Sequence, residues 1–147
     1  MIVVEKKLIL AEILKDSVLL HLAAAYFSIG KRLEQKTQCS QTRAFVLSTL
    51  RGGAAALNQN QIVTLLGFDR TVVHRCIRSM IQGGLVSERK ANSGRALLVQ
   101  LTPKGTRYRE YLIKERQEAE EKLRKELTPE ECATLVRLLK VVAELEV

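Results

Sequence analysis

Residues 57–105 read LNQNQIVTLLGFDRTVVHRCIRSMIQGGLVSERKANSGRALLVQLTPKG, and the order of signals along this stretch decides the fold. Asn58 opens a short helix, and Gln61, three residues on, completes a capping box in which the two side chains satisfy each other's backbone amides. Gly67 closes that helix. Asp69 caps a second one, predicted to run to about Gln82 and to end at Gly83-Gly84. Two short helices joined by a tight, glycine-containing turn make a helix-turn-helix. The period then changes. Residues 85–89 and 96–101 read as strands around an Asn92-Ser93-Gly94 turn, giving a β-hairpin with a basic tip. A hairpin directly after the helix pair makes the unit a winged helix-turn-helix.

Outward from this unit the chain is helical. Residues 3–36 form one long helix, or two with a break near Asp16-Ser17, because Leu10, Leu14, Val18, Leu22, Ala25, Ile29 and Leu33 recur every three or four positions. Between Val18 and Ile29 nearly every face is apolar, more than one small domain covers by itself, so a second subunit is expected against it. Ser40 caps a helix to about Leu50, closed by Gly52-Gly53. Thr102-Pro103 opens a long helix to about Leu127, and Thr128-Pro129-Glu130-Glu131 repeats the device. The last helix carries Leu135, Leu138, Leu139, Val142 and Leu145 on one face. The fold class is mostly α with a small β-hairpin wing (α+β). A single domain of 147 residues is expected, with a winged lobe at 40–104 and dimerisation helices at 1–38 and 106–147.

Charge sharpens the reading. The formal net charge is +8, and residues 41–110 alone hold eleven Lys/Arg against three Asp/Glu, so the surplus sits on the winged lobe. Concentrated cations suit a polyanion, since each neutralised phosphate releases counterions, although a solubilising surface is also served by such charge. Within helix 69–82, Val73, Ile77 and Met80 make the inward stripe, with Cys76 and Ile81 beside it. Arg70, Thr71, His74, Arg75 and Arg78 take the remaining surface, and no acid follows the cap. Arg70, Thr71 and His74, nearest the helix start, are the candidate base readers in a major groove about 12 Å wide. Arg75, Arg78 and Lys90 are candidate phosphate contacts, and Arg95 is the wing-tip contact.

Other classes find little support. His21 and His74 are the only histidines, and neither lies in a catalytic or metal motif; no phosphate-binding loop, H-E-x-x-H or G-x-S-x-G is present. The chain therefore reads as a non-enzyme, with no catalytic residue, metal or cofactor. The longest apolar run, Val18 to Ile29, is short of the roughly 20 residues of a bilayer span, and MIVVEKK is no signal peptide. An odd set of cysteines, Cys39, Cys76 and Cys132, without C-x-x-C spacing fits a reducing compartment, so a cytoplasmic protein without membrane contact is expected. Cys39, between Lys36 and Arg43 in sequence, is the cysteine expected to be exposed, with a thiol made reactive by nearby positive charge.

The stretch from Leu57 to Val73, then Gly84-Leu85-Val86, and most specifically Arg95 through Leu101-Thr102-Pro103-Lys104-Gly105, resembles the MarR family of transcriptional regulators, and the flanking helices extend the resemblance over nearly the whole chain. The resemblance implies a triangular homodimer that binds a pseudo-palindromic operator in double-stranded DNA, usually as a repressor relieved by a small ligand or by oxidation. The wing departs from the family's Asp-x-Arg: Ser93-Gly94-Arg95 leaves the arginine without its acidic partner. The resemblance also implies an aromatic or carboxylate effector between the dimer helices and the winged lobe, for which His21, Tyr26 and Arg43 are the candidate residues. Two alternatives stand beside this reading: a non-specific architectural or protein-interaction winged helix, and a repressor switched by oxidation of Cys39.

Overall fold

A computed structural model describes residues 12, 15–50, 56–91 and 96–145 of the chain. Leu10, Leu14, the Gly52-Gly53 closure, the Asn92-Ser93-Gly94 turn and Arg95 lie outside the described residues. The elements run α1 (Val18–Thr37), α2 (Gln41–Thr49), β1 (Leu57–Asn58), α3 (Gln59–Leu66), α4 (Arg70–Gln82), β2 (Val86–Lys90), β3 (Leu97–Leu101), α5 (Pro103–Glu126) and α6 (Pro129–Ala143).

The helix starts follow from local chemistry. The break near Asp16-Ser17 is present, with the Ser17 hydroxyl accepting the Leu20 amide and α1 beginning at Val18. Ser40 Oγ accepts the Arg43 amide, and Asn58 with Gln61 forms the reciprocal capping box. Asp69 Oδ1 accepts the amides of Thr71 and Val72 at 2.8 and 3.2 Å. Thr102 caps α5 with Pro103 in its first turn, and Thr128 with Glu131 boxes the start of α6. Each bond satisfies an amide that a helix start otherwise leaves unpaired. Between α3 and α4 the chain turns at Gly67, whose φ of 65° is the left-handed conformation that favours glycine.

The sheet differs from the expected hairpin in its strand count and slightly in its bounds. It has three strands, in the order β1-β3-β2, all antiparallel: Leu57 pairs with Val99, and Val86 to Lys90 pair with Leu101 to Leu97. The two wing strands begin one residue later than the sequence suggested, and β1 is an addition that anchors the start of α3 to the wing. The core gathers Val46, Leu47 and Leu50 of α2, Ile62 of α3, Val73, Ile77 and Met80 of α4, and Leu85, Val86 and Val99 around the sheet. It lies wholly inside the winged lobe.

The flanking helices are packed differently. Tyr108 and Tyr111 of α5 donate their hydroxyls to the carbonyls of Thr37 and Lys36 at the end of α1, at 3.3 and 3.5 Å. The Lys36 ammonium pairs with the carboxylates of Glu115 and Glu118, which raises its own pKa and lowers that of Glu118. Beyond this fastening the helices bury little. Val18 and Phe27 of α1 are 74% and 67% exposed, and no residue of α6 is buried.

Candidate nucleic-acid interface

Helix α4 divides into two faces. Val73, Ile77 and Met80 are fully buried, while Arg70, Thr71, His74, Arg75 and Arg78 all stand exposed on the opposite side. Cys76 is half-buried against the core, and Ile81, expected beside the inward stripe, is exposed. The one acid at this helix, Asp69, is engaged in capping, so the arginines have no carboxylate within α4 to neutralise them. Arg43 of α2 donates from Nη2 to Ser79 Oγ at 3.0 Å, fixing the last turn of α4 against α2.

The wing is braced from below. Glu88 of β2 accepts a 2.7 Å hydrogen bond from Gln59 Nε2 at the start of α3. Across the hairpin, Arg89 Nε donates to Gln100 Oε1, and Gln100 Nε2 donates to Ser87 Oγ. Lys90 ends β2 exposed and without an acidic partner among the described residues, on the strand that leads to the tip. The lobe thus carries the exposed face of α4 and the hydrogen-bonded base of the wing together. Arg95, the predicted tip contact, lies outside the described residues.

The three residues expected to line an effector site are not brought together. A cavity of about 280 Å³ opens between α1, α2 and α5, and Tyr26 lines it along with Gln41, Phe45, Arg109, Glu115 and Arg116. Arg43 faces a separate groove on the other side of α2. His21 lines neither; it is exposed, with Nδ1 2.9 Å from the Ser17 carbonyl oxygen. Arg109 and Arg116, in the wall of this cavity, are absent from the expected set. Their spacing of seven puts them on one face of α5, a signal that was present but is also that of an ordinary solvated face. The Arg109 Nε–H is buried in that wall with no acceptor.

Cys39 corrects an expectation. It is 3% exposed, sealed under the α1–α2 joint, and burial pushes its thiol up despite the nearby Arg43 and Tyr108. Its sequence neighbours Lys36 and Arg43 are engaged by other partners, one by the acids of α5 and the other by Ser79. The exposed, activated thiol on which oxidative switching at Cys39 depends is therefore not formed. Burial raises the Cys76 thiol likewise.

No family model matches the sequence, and no curated protein matches it. Solved structures do. The DNA complex of MepR from S. aureus matches with a TM-score of 0.78 at 18% identity, covering 90% of this chain and 99% of that one. The PcaV transcriptional regulator from Streptomyces coelicolor, in complex with its natural ligand, matches at 0.73 and 22% identity, over 89% and 94%. The MarR family transcription regulator SP03579 matches at 0.72 and 15%, over 85% and 88%. The chain has the winged-helix fold of MarR-type transcriptional regulators over most of its length. Among the described residues no helix is long and apolar enough to cross a membrane.

Proposed function

We propose that the protein is a DNA-binding transcriptional regulator of the MarR type that reads a pseudo-palindromic operator as a homodimer. The observation that carries this reading is α4, a helix anchored by three fully buried side chains and presenting three arginines, a threonine and a histidine on its exposed face. Folding has no need of that face. In the major groove, the residues nearest the helix start, Arg70, Thr71 and His74, reach base edges, with arginine suited to a bidentate bond to guanine. Arg75, Arg78 and Lys90 hold phosphates and fix the register, and Arg95 follows the wing to the minor groove.

The homodimer is supported by the uncovered apolar faces of α1 and α6, which a second copy would bury. Two lobes held this way set two copies of α4 on one side of the duplex, about 34 Å apart or a multiple of that spacing. Repression relieved by a small aromatic or carboxylate effector is the regulatory form we favour. The cavity between α1, α2 and α5, with Arg109 and Arg116 in its wall, is the place for such a molecule, because it adjoins both the dimer helices and the lobe. MepR with DNA and PcaV with its ligand, both of this fold, are consistent with each half of the reading.

Footprinting on the DNA upstream of the protein's own coding region tests it. Two protected half-sites related by dyad symmetry and spaced by whole helical turns are expected. A continuous, sequence-independent coat would overturn the reading in favour of an architectural protein.

A further inference from the structure

We infer that Val72 of α4 reads the 5-methyl group of a thymine in the major groove, selecting T·A at one position of each half-site by an apolar contact; this deepens the operator reading and rests on it. Val72 is the third residue of α4 and stands 43% exposed. It takes no part in the core of the lobe, which α4 reaches through Val73, Ile77 and Met80. The other exposed residues of the first two turns are Arg70, Thr71, His74 and Arg75, so Val72 is the one aliphatic side chain on a polar and cationic surface. Ile81, the other exposed aliphatic residue of α4, lies at the far end of the helix. Folding does not ask for valine here: β-branching lowers helix propensity, and apolar surface left in water gains nothing from burial.

What valine offers at this position is a stiff apolar probe. Within a helix, β-branching holds χ1 largely in one rotamer, so the two methyls keep a fixed direction and little side-chain entropy is lost on contact. The backbone beneath them is fixed as well. The Val72 amide donates to Asp69 Oδ1 at 3.2 Å, and Val73, the next residue, is fully buried. Arg75, three positions on, is its neighbour on the helix surface, and the surrounding cations draw the phosphate backbone of a duplex onto this end of α4. The apolar group that a base pair offers in the major groove is the thymine 5-methyl, and small aliphatic side chains pack against it. A hydrogen-bonding side chain leaves that methyl unread, whereas Val72 has no other base atom to recognise. 5-Methylcytosine carries a methyl on the same ring carbon and satisfies the same contact.

Replacing the thymines of the protein's own upstream duplex one at a time by deoxyuridine removes that methyl and nothing else. Binding titrations of the full chain should find a position in each half-site where deoxyuridine weakens binding about fourfold, the worth of one buried methyl group. Val72→Ala should lose a similar factor on the thymine duplex and be indifferent to deoxyuridine at that position. Because Val72 lies outside the core, the urea midpoint of this variant should match that of the parent chain. With cytosine at the same position, 5-methylcytosine should recover about fourfold for the parent chain and nothing for Val72→Ala. The assignment is overturned if no deoxyuridine changes the affinity of the parent chain. It is also overturned if Val72→Ala keeps the full deoxyuridine penalty, which gives the methyl contact to another residue. A random duplex in the same titrations separates the two levels. A parent chain that prefers its upstream DNA yet ignores the methyl refutes this assignment alone, whereas no preference removes the operator reading with it.

Discussion

Gly105, in the first turn of α5, lies so close to the backbone carbonyl of Leu85 that a Cβ at this position would enter the oxygen's van der Waals envelope. Thr102 completes the joint. Its hydroxyl donates to the Gly84 carbonyl at 2.6 Å, its oxygen accepts the Gly105 amide at 3.0 Å, and its own amide donates to the Leu85 carbonyl at 3.1 Å. The Leu-Thr-x-x-Gly pattern therefore has a mechanical meaning: it locks the base of the wing, just past α4, onto the helix that leads out of the lobe.

Gly105→Ala is expected to destabilise the protein by about 2 kcal/mol, in the range of overpacking at a close backbone approach. Urea unfolding followed by circular dichroism checks this. A midpoint equal to that of the parent chain would show that the joint has slack.

The helix starts were legible in the sequence because capping is local: the Ser40, Asn58, Asp69, Thr102 and Thr128 side chains each meet an amide two or three residues away. The inward stripe of α4 was legible because its period is that of the helix. What escaped the sequence was non-local. Strand β1 spans two residues, too short to carry a period, and exists only because β3 runs beside it. The burial of Cys39 depends on how the α1–α2 joint is sealed, and its charged neighbours in sequence are engaged by Glu115, Glu118 and Ser79 instead. The separation of Tyr26 from Arg43 likewise follows from which side of α2 each faces.

The stability should decline in alkali for a reason tied to the same joint. Burial holds the Cys39 thiol above its ordinary value of 9.0 and pushes the Tyr108 phenol up from 10.0 to about 12. The unfolded chain therefore releases these protons while the folded chain still keeps them. Their contribution is fully present below pH 9.0 and is lost as the pH rises from there toward 12. Urea midpoints measured from pH 8 upward should fall, and Cys39→Ala together with Tyr108→Phe should flatten the decline. Parallel curves for parent and double variant would contradict this origin.

The exposed faces of α1 and α6 are expected to be the dimer interface. Phe27→Glu and Val136→Glu each place a charge on that surface without touching the core of the lobe. Sedimentation equilibrium should find a dimer for the parent chain and a monomer for either variant, with circular dichroism showing the helices retained. A monomeric parent chain, or variants that still pair, would remove the dimer from the account.

The residues of α4 should divide by role. Arg70→Ala is expected to cost about 1–3 kcal/mol on the operator and much less on random duplex, because a base contact is lost. Arg78→Ala should weaken both duplexes alike and lower the salt dependence, because a phosphate contact is lost. Binding titrations on the two duplexes distinguish the patterns, and equal losses for Arg70→Ala on both would move it to the phosphate group.

Whether this lobe reads sequence is decided by comparing affinity for the protein's own upstream DNA with affinity for a random duplex of equal length at two salt concentrations. A preference of about a thousandfold or more for the upstream DNA is expected, maintained as salt rises and both affinities fall. Equal affinities that fall together with salt would contradict it, leaving a protein that binds DNA through charge alone.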